Sequence, residues 1–189
     1  MTPPTLQSPR LAERAVPNEA WLKAMLHSAP FGSLGMVQAD QPYVKPTLFA
    51  YDEVAQVIYF HGALEGRTRT LLEQKPHVCF TISQLGRLLP AKTSMEFGIE
   101  YSSVIVFGKV SIVEGELARS GLQLLLDKYF AHLKSGQDYQ PIAEEEMNLT
   151  TVYSLAIESW SGKAYHASPD YPDAFYYEHK DIHDWRNFS

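Results

Sequence analysis

The stretch between residues 57 and 69 restricts the fold most strongly, because an apolar strand passes there directly into a turn and a helix. Residues 57–60 form a short run of β-branched and aromatic side chains, which predicts a strand buried on both faces. Small residues follow, and a basic segment at residues 67–74 is closed by Pro76, which is typical of a short helix. The sequence therefore predicts a strand-turn-helix corner.

The start of this predicted helix has the chemistry of an anion site. The first N–H groups of a helix lack partners within the helix and carry partial positive charge. Arginine is otherwise unfavourable at this end of a helix, so two arginines here favour a bound phosphate. Glycine and arginine also occur at such junctions for geometry and solubility alone, and this alternative stays open. The candidate contact residues are His61, Gly62, Ala63, Gly66, Arg67 and Arg69.

Length, charge and cysteine content limit the other function classes. The 189 residues suit one domain, and a net charge of −6 gives no support to a general nucleic-acid surface. The single cysteine, Cys79, lies in an apolar run, which predicts a buried core thiol and no metal cluster built on cysteine. No stretch has the length of a membrane span, and residues 1–14 lack a signal-peptide core. We therefore expect a soluble cytoplasmic protein without a metal site.

Hydrophobic periodicity divides the chain into an arm or strap at residues 1–16, a domain at 17–165, and a tail at 166–189 that packs on its own or a partner subunit. Pro46 predicts an edge strand, a bulge or a place where a ligand borders the backbone. The pattern is mainly β with α+β character and favours an antiparallel barrel. The expected elements are a helix capped by Asn18 and ended by Pro30, strands at 31–37, 43–51, 57–60, 77–83, 101–114 and 151–157, helices at 67–74 and 116–134, a solvated helical turn at 144–146, a bend at Gly108 and a long loop at 84–98.

Four short blocks lie in order on these expected strands. They are residues 42–46 (PYVKP), 59–67 (YFHGALEGR), 101–109 (YSSVIVFGK) and 160–163 (WSGK). Together they resemble the flavin-binding split barrels related to pyridoxamine 5′-phosphate oxidase, and within that family the nitroimidazole-reductase branch. The resemblance covers roughly residues 18 to 165. It implies a six-stranded antiparallel split β-barrel with flanking helices.

The same resemblance implies a homodimer that binds FMN at the subunit interface, with the flavin phosphate at the strand-turn-helix corner. Arg67 becomes the principal phosphate ligand. The family commonly has a lysine after this arginine, whereas this chain has Thr68, so the second positive charge is left to Arg69, to Lys163 or to no residue. Further contacts are implied at the flavin ring, at the start of the long strand and in the closing block, namely Pro46, Thr47, Leu48, Ser102, Ser103, Val104, Trp160 and Lys163.

Functionally, the resemblance implies that FMN passes electrons from a reduced nicotinamide to a small acceptor such as a nitroaromatic compound. His61 matches a histidine near the reactive side of the flavin and is the candidate proton donor, although a core histidine bonded to a carbonyl fits equally well. The acceptor pocket would involve the barrel, the loop at 84–98 and the partner's tail. Alternatives are a flavin carrier or sensor without turnover, and a barrel that holds haem or a deazaflavin. Pyridoxal recognition is not supported.

Overall fold

The computed structural model describes residue 9 and residues 11–177. Within this part of the chain, one antiparallel sheet of nine strands forms the centre of the molecule. Its strands are β1 (Ala15–Val16), β2 (Gly32–Gln38), β3 (Gln41–Thr47), β4 (Ala50–Asp52), β5 (Val57–Gly62), β6 (His77–Leu89), β7 (Gly98–Val113), β8 (Thr151–Tyr165) and β9 (Phe175–Tyr176). The helices are α1 (Glu19–Ser28), α2 (Arg67–Gln74), α3 (Gly115–Tyr129) and α4 (Glu144–Met147), with 3₁₀ turns at Ala12–Arg14 and Ser94–Glu96.

The strand order is β3-β2-β6-β7-β8-β5-β4, with β1 added to β8 and β9 added to β6. The end strands β3 and β4 are not paired with each other, so the curved sheet is a split barrel rather than a closed one. Apolar side chains from the strands and from α1 and α2 fill one main core. The predicted fold class is confirmed, although the number of strands is nine instead of six.

The additional strands have identifiable causes. The strand expected at 43–51 divides into β3 and β4, because the Phe49 N–H leaves the ladder and donates to the Tyr129 hydroxyl at 3.1 Å. That hydroxyl in turn lies 2.8 Å from the Pro30 carbonyl oxygen, to which it donates. The other two additional strands are β1, which comes from the arm and pairs with β8, and β9, which comes from the tail and pairs with β6.

Several local predictions are confirmed. The Asn18 side chain accepts from the Trp21 N–H at 3.0 Å and caps α1, and α2 has the predicted bounds. Pro46 lies on β3, which among the described strands pairs only with β2 and is therefore an edge strand. The register between β7 and β8 shifts at Gly108, where a Cβ would come within 2.0 Å of the Ala156 carbonyl oxygen.

The expected loop at 84–98 is wrong over much of its length. β6 continues to Leu89 with one irregularity between Leu85 and Leu88, and β7 begins at Gly98. Residues 84–89 gain backbone partners from β7 and also from β9. This pairing is non-local, so the mixed composition of the segment gives no local sign of it.

One burial prediction and one length prediction are also wrong. Cys79 is exposed, because strand alternation turns its neighbours Val78 and Phe80 into the core. The helix expected at 116–134 ends at Tyr129, and its last predicted residue, Lys134, instead donates its N–H to the Asp138 carboxylate at 2.8 Å.

The arm and the tail both pack on this chain's own sheet. β1 pairs with β8 at Gly162 and Lys163, and β9 pairs with β6 at Arg87 and Leu88. The rest of the expected arm and tail, at residues 1–8, 10 and 178–189, lies outside the described residues. No helix in the described part of the chain is long and apolar enough to cross a membrane.

Candidate functional site

The predicted corner is formed by the end of β5, an exposed turn and the start of α2. Gly66 occupies the N-cap position of α2 with φ 116°, a backbone conformation that a side chain would strain. A Cβ built at Gly66 has no heavy atom within 4 Å, so the space in front of the helix start is open. Helix N–H groups and a bare backbone therefore face solvent here.

Two basic side chains lie beside this opening. The Arg67 guanidinium carbon lies 5.0 Å from the centroid of the Tyr43 ring. The Nζ of Lys45 lies 3.7 Å from the place where a Cβ on Gly62 would be. Tyr43 and Lys45 are two residues apart on β3 and so share one face of that strand. Because β3 and β5 are not paired, Lys45 reaches across the split in the barrel.

Neither of these cations is neutralised by a neighbouring carboxylate. Among the described residues, Lys45 and Arg67 form no ion pair with an acidic side chain. Burial lowers the pKa of Lys45 from its ordinary value, because the ammonium loses water without gaining an anion. Arg69 differs, since its Nε donates to Glu73 at 2.7 Å and its Nη1 to Thr151 at 3.2 Å.

His61 lies at the same corner with part of its ring exposed. Burial of the rest of the ring, followed by the positive charge of Lys45, lowers its pKa below the ordinary 6.5. The imidazole is therefore uncharged at neutral pH. Its Nδ1 lies 3.4 Å from the Thr150 hydroxyl, which donates to the Gly62 carbonyl at 2.8 Å. That hydroxyl can then only accept from His61, which favours a proton on Nδ1.

An apolar cavity of about 250 Å³ opens next to His61, between the corner and α3. Leu48, which is 52% exposed, forms its wall on the β3 side. A second cavity of about 410 Å³ lies near Arg69 and Thr151, but the carboxylates of Glu114 and Glu144 line it and make it less suited to an anion. The remaining walls of the first cavity are Leu122, Leu125, Leu126, Tyr129, Phe130, Ile142 and Glu146.

The predicted site residues form two groups in one chain. Pro46 and Thr47 end β3 and Leu48 follows directly, so the three residues belong with the corner. The residues from the third and fourth blocks lie elsewhere, on the paired strands β7 and β8, where Ser103 is opposite Lys163. Lys163 follows Thr151, the residue of β8 opposite Gly62, by about 12 residues. A fully extended strand of this length spans about 40 Å, and Lys163 lies near the opposite end of β8 from the corner.

The second group has mixed surroundings. Val104 is fully buried in the core, and the Trp160 ring packs edge-on against Tyr51 with 6.5 Å between ring centroids. Lys163 carries its Nζ 5.2 Å from the centroid of the Tyr101 ring. The Ser102 hydroxyl lies 3.4 Å from Nε2 of His166. Among the described residues, no cluster of three or more His, Cys, Asp or Glu side chains is placed to hold a metal ion.

Sequence reasoning missed Lys45 as a member of the corner. The PYVKP block contained the information needed to include it, because strand alternation places Lys45 on the same face as Tyr43. That this face looks toward β5 depends on how the barrel splits. The sequence suggested Arg69 or Lys163 as the second positive charge. Arg69 forms an ion pair with Glu73, and Lys163 lies near the far end of β8.

Comparison with known proteins gives one family match and several similar folds. A family model described as pyridoxamine 5′-phosphate oxidase matches residues 18–164. The flavocytochrome Anf3 from Azotobacter vinelandii superimposes with a TM-score of 0.72 at 22% identity, over 93% of this chain and 89% of that one.

A FAD- and haem-binding protein from Mycobacterium smegmatis gives a TM-score of 0.72 at 21% identity, with coverage of 83% and 76% of the two chains. A candidate 5-nitroimidazole antibiotic resistance protein from Bacteroides thetaiotaomicron superimposes with a TM-score of 0.66 at 21% identity, over 79% of this chain and 86% of that one. At these identities the likeness shows the fold alone. No curated protein matches significantly.

Proposed function

The chain belongs to the pyridoxamine 5′-phosphate oxidase family, and from this membership we propose that it binds FMN, with the flavin phosphate at the corner between β5 and α2. The family named from the four sequence blocks is thereby confirmed. The observation that carries the proposal is a pair of basic side chains at the two ends of this turn, since Lys45 lies beside Gly62 and Arg67 directly follows the open Gly66. Among the described residues, neither forms an ion pair with a carboxylate. The names of two similar structures include FAD, which supports a flavin as the class of ligand.

The residues of the corner fit a phosphate group. A phosphate needs N–H donors and positive charge, and the start of α2 offers the first while Arg67 offers the second. The open space at Gly66 leaves room for the backbone to approach the ligand. The apolar cavity beside His61 supplies a dry wall for a flat ring that continues from the phosphate.

We further propose that two copies of the chain share each flavin. The support is that the two groups of site residues lie toward opposite ends of β8, with Thr151 opposite Gly62 at one end and Lys163 near the other. In a homodimer, the partner's β7 and β8 would bring Ser102, Ser103 and Lys163 to the corner of the first subunit. Size-exclusion chromatography with light scattering measures the molar mass and so tests this proposal. A stable monomer that still binds flavin would contradict it.

The reaction class that fits is electron transfer from a reduced nicotinamide to a small oxidised acceptor such as a nitroaromatic compound. Bound FMN would supply the redox chemistry. Arg67 would hold the phosphate, Leu48 and α3 would exclude water, and His61 would donate a proton to the reduced acceptor. Since the pKa of His61 is lowered, proton donation by its charged form should weaken as the pH rises through a value below 6.5.

Anaerobic mixing with NADH and then with a nitroaromatic compound tests the enzyme proposal. Bleaching of the flavin followed by its reoxidation supports turnover. A yellow protein that neither reagent affects would instead be a flavin carrier or sensor. Mass spectrometry of the released ligand distinguishes FMN from FAD, a deazaflavin or haem.

A further inference from the structure

We propose that the apolar cavity between the corner and α3 binds an uncharged molecule with a single aromatic ring that carries an O–H or N–H group. Glu146 is the residue that excludes anions from this cavity, and His61 is the acceptor for the group on the ring. The cavity and its selectivity follow from the described residues alone. Only the identification of this molecule as the electron acceptor rests on the proposed function.

The size of the cavity limits its occupant to a single ring. Its volume is about 250 Å³, whereas a dry apolar cavity of about 150 Å³ is sufficient for benzene. One substituted ring therefore fits, and the three fused rings of a flavin are too large. Leu48, which is 52% exposed, lies at the β3 side of the cavity. The flavin ring would lie along this opening, and a second molecule would enter between Leu48 and α3.

The polar side chains that line the cavity can accept hydrogen bonds but have no free proton to donate. Nδ1 of His61 carries the imidazole proton and contacts the Thr150 hydroxyl at 3.4 Å, which leaves Nε2 as an acceptor. The Tyr129 hydroxyl already donates to the Pro30 carbonyl oxygen at 2.8 Å. The carboxylate of Glu146 is also an acceptor. A ligand that forms a hydrogen bond here must therefore bring its own O–H or N–H group.

Glu146 determines the charge of the cavity. It is the only ionised side chain among the lining residues, because burial lowers the pKa of His61 and keeps its imidazole uncharged at neutral pH. The Glu146 carboxylate accepts from the Ala143 N–H at 2.9 Å, which holds it in place. In the described part of the chain no cation pairs with it, since the nearby Arg119 is bound to Glu144 and Glu116. An anionic ligand would therefore meet a like charge.

Three probes with a single ring separate these features. Phenol is uncharged and carries an O–H group, anisole is uncharged and lacks it, and benzoate is an anion. Titrations of the full chain at pH 7, followed by the NMR signals of the probe, should give dissociation constants that increase in this order. Anisole should bind about 3- to 10-fold more weakly than phenol, as expected for one lost hydrogen bond. Benzoate should bind at least about 10-fold more weakly than phenol, because charge repulsion is added.

Two variants test the assigned residues. Glu146→Gln removes the charge but keeps an oxygen that can accept from the Ala143 N–H, and it should improve the affinity for benzoate relative to phenol by about 3- to 10-fold. His61→Phe keeps a flat ring without an acceptor and should abolish the preference for phenol over anisole. Glu145→Gln is the matched control, because Glu145 is adjacent to Glu146 on α4 but does not line the cavity. This control should keep the wild-type ratios.

The assignment would be overturned if the wild type bound no phenol, or bound phenol and benzoate equally. It would also be overturned if Glu146→Gln left the ratio of the two affinities unchanged, or if Glu145→Gln altered that ratio as much. None of these titrations depends on turnover. Failure of the proposed function is therefore seen separately, as a protein that binds the probes selectively but binds no flavin.

Discussion

The basic side chains in two regions of the molecule, the corner and the end of the β6–β7 hairpin, have opposite surroundings. At the corner, Lys45 and Arg67 face an open turn without a carboxylate partner among the described residues. At the far end of the β6–β7 hairpin, Arg87 lies 2.7 Å from one oxygen of Glu100 and 3.0 Å from the other. The cations of the first region are free to bind an anionic ligand, whereas the cation of the second region is already paired with a carboxylate of the protein.

The Arg87–Glu100 pair fastens the C-terminal tail to the sheet. The guanidinium donates to the carbonyl oxygens of Ser168 and Pro169 at 3.0 Å. Glu100 accepts from the Ala167 N–H at 2.9 Å, and its side chain is only 7% exposed. Hydrogen bonds from Arg87, with a smaller contribution from the Ala167 N–H, lower the pKa of Glu100 to about 2. This cation is a structural element of the fold.

The presence or absence of a carboxylate partner distinguishes structural cations from ligand-binding cations in this chain. A buried ion pair that is fully hydrogen-bonded has nothing left to offer a ligand, and breaking it leaves a buried charge. A partly buried cation without a carboxylate partner can still form an ion pair with a ligand. It lowers the stability of the fold slightly, and binding of an anion restores that stability. Substitutions in the two regions should therefore affect different properties of the protein.

The largest effect is expected for Arg87→Met. The substitution leaves the Glu100 carboxylate buried without a counter-charge, so the melting temperature should fall on the order of 10 °C. Arg119→Met is the matched control, because Arg119 pairs with the well-exposed Glu116 and Glu144, and its melting temperature should fall by about 1–3 °C. Calorimetry at pH 7 makes the comparison, and equal losses in the two variants would show that the Arg87 pair is not structural.

Arg67→Ala should show the reverse behaviour. Loss of a charge-assisted phosphate contact should weaken FMN binding by about 1.5–3 kcal/mol, while the melting temperature of the ligand-free protein stays near that of wild type. Arg69→Ala is the comparison variant at the same helix start, and its effect on FMN affinity should be smaller because Glu73 already binds Arg69. An unchanged FMN affinity in Arg67→Ala would mean that the phosphate has another anchor.

The pH dependence of stability tests the Glu100 pair without disrupting other contacts. The folded-state pKa of Glu100, about 2, is below its ordinary 4.5, so its stabilisation is complete above pH 4.5 and is lost as the pH falls toward 2. The difference in melting temperature between wild type and Glu100→Gln should be constant from pH 7 to about pH 5 and should shrink below that. A difference that is the same at pH 3 and at pH 7 would contradict this assignment.

The smallest effect concerns His61. Burial is the main cause of its lowered pKa and the charge of Lys45 is the second, so Lys45→Met should raise the pKa of His61 only part of the way back toward 6.5. A pH titration followed by the proton NMR signals of the imidazole measures the change. A midpoint that does not move would place the Lys45 charge farther from His61 than the structure has it.

Local signals in the sequence were sufficient for the corner and for part of the fold. The bounds of α2 and the Asn18 cap follow from residues that act within one turn of a helix. Cys79, the extension of β6 and the break at Phe49 were missed, because each depends on strand register or on a distant partner such as Tyr129. Lys45 belongs to this second class, since its place over Gly62 exists only when β3 and β5 meet across the split.

The central claim is that the open corner binds the phosphate of a flavin, and the affinity ratio of wild-type protein for FMN and riboflavin tests it most directly. The absorption spectrum of the purified protein should show flavin, and after its removal FMN should bind at least about 10-fold more tightly than riboflavin. Added FMN should also raise the melting temperature. A protein without flavin absorbance, with no shift on added FMN or with equal affinity for the two flavins, would contradict the account.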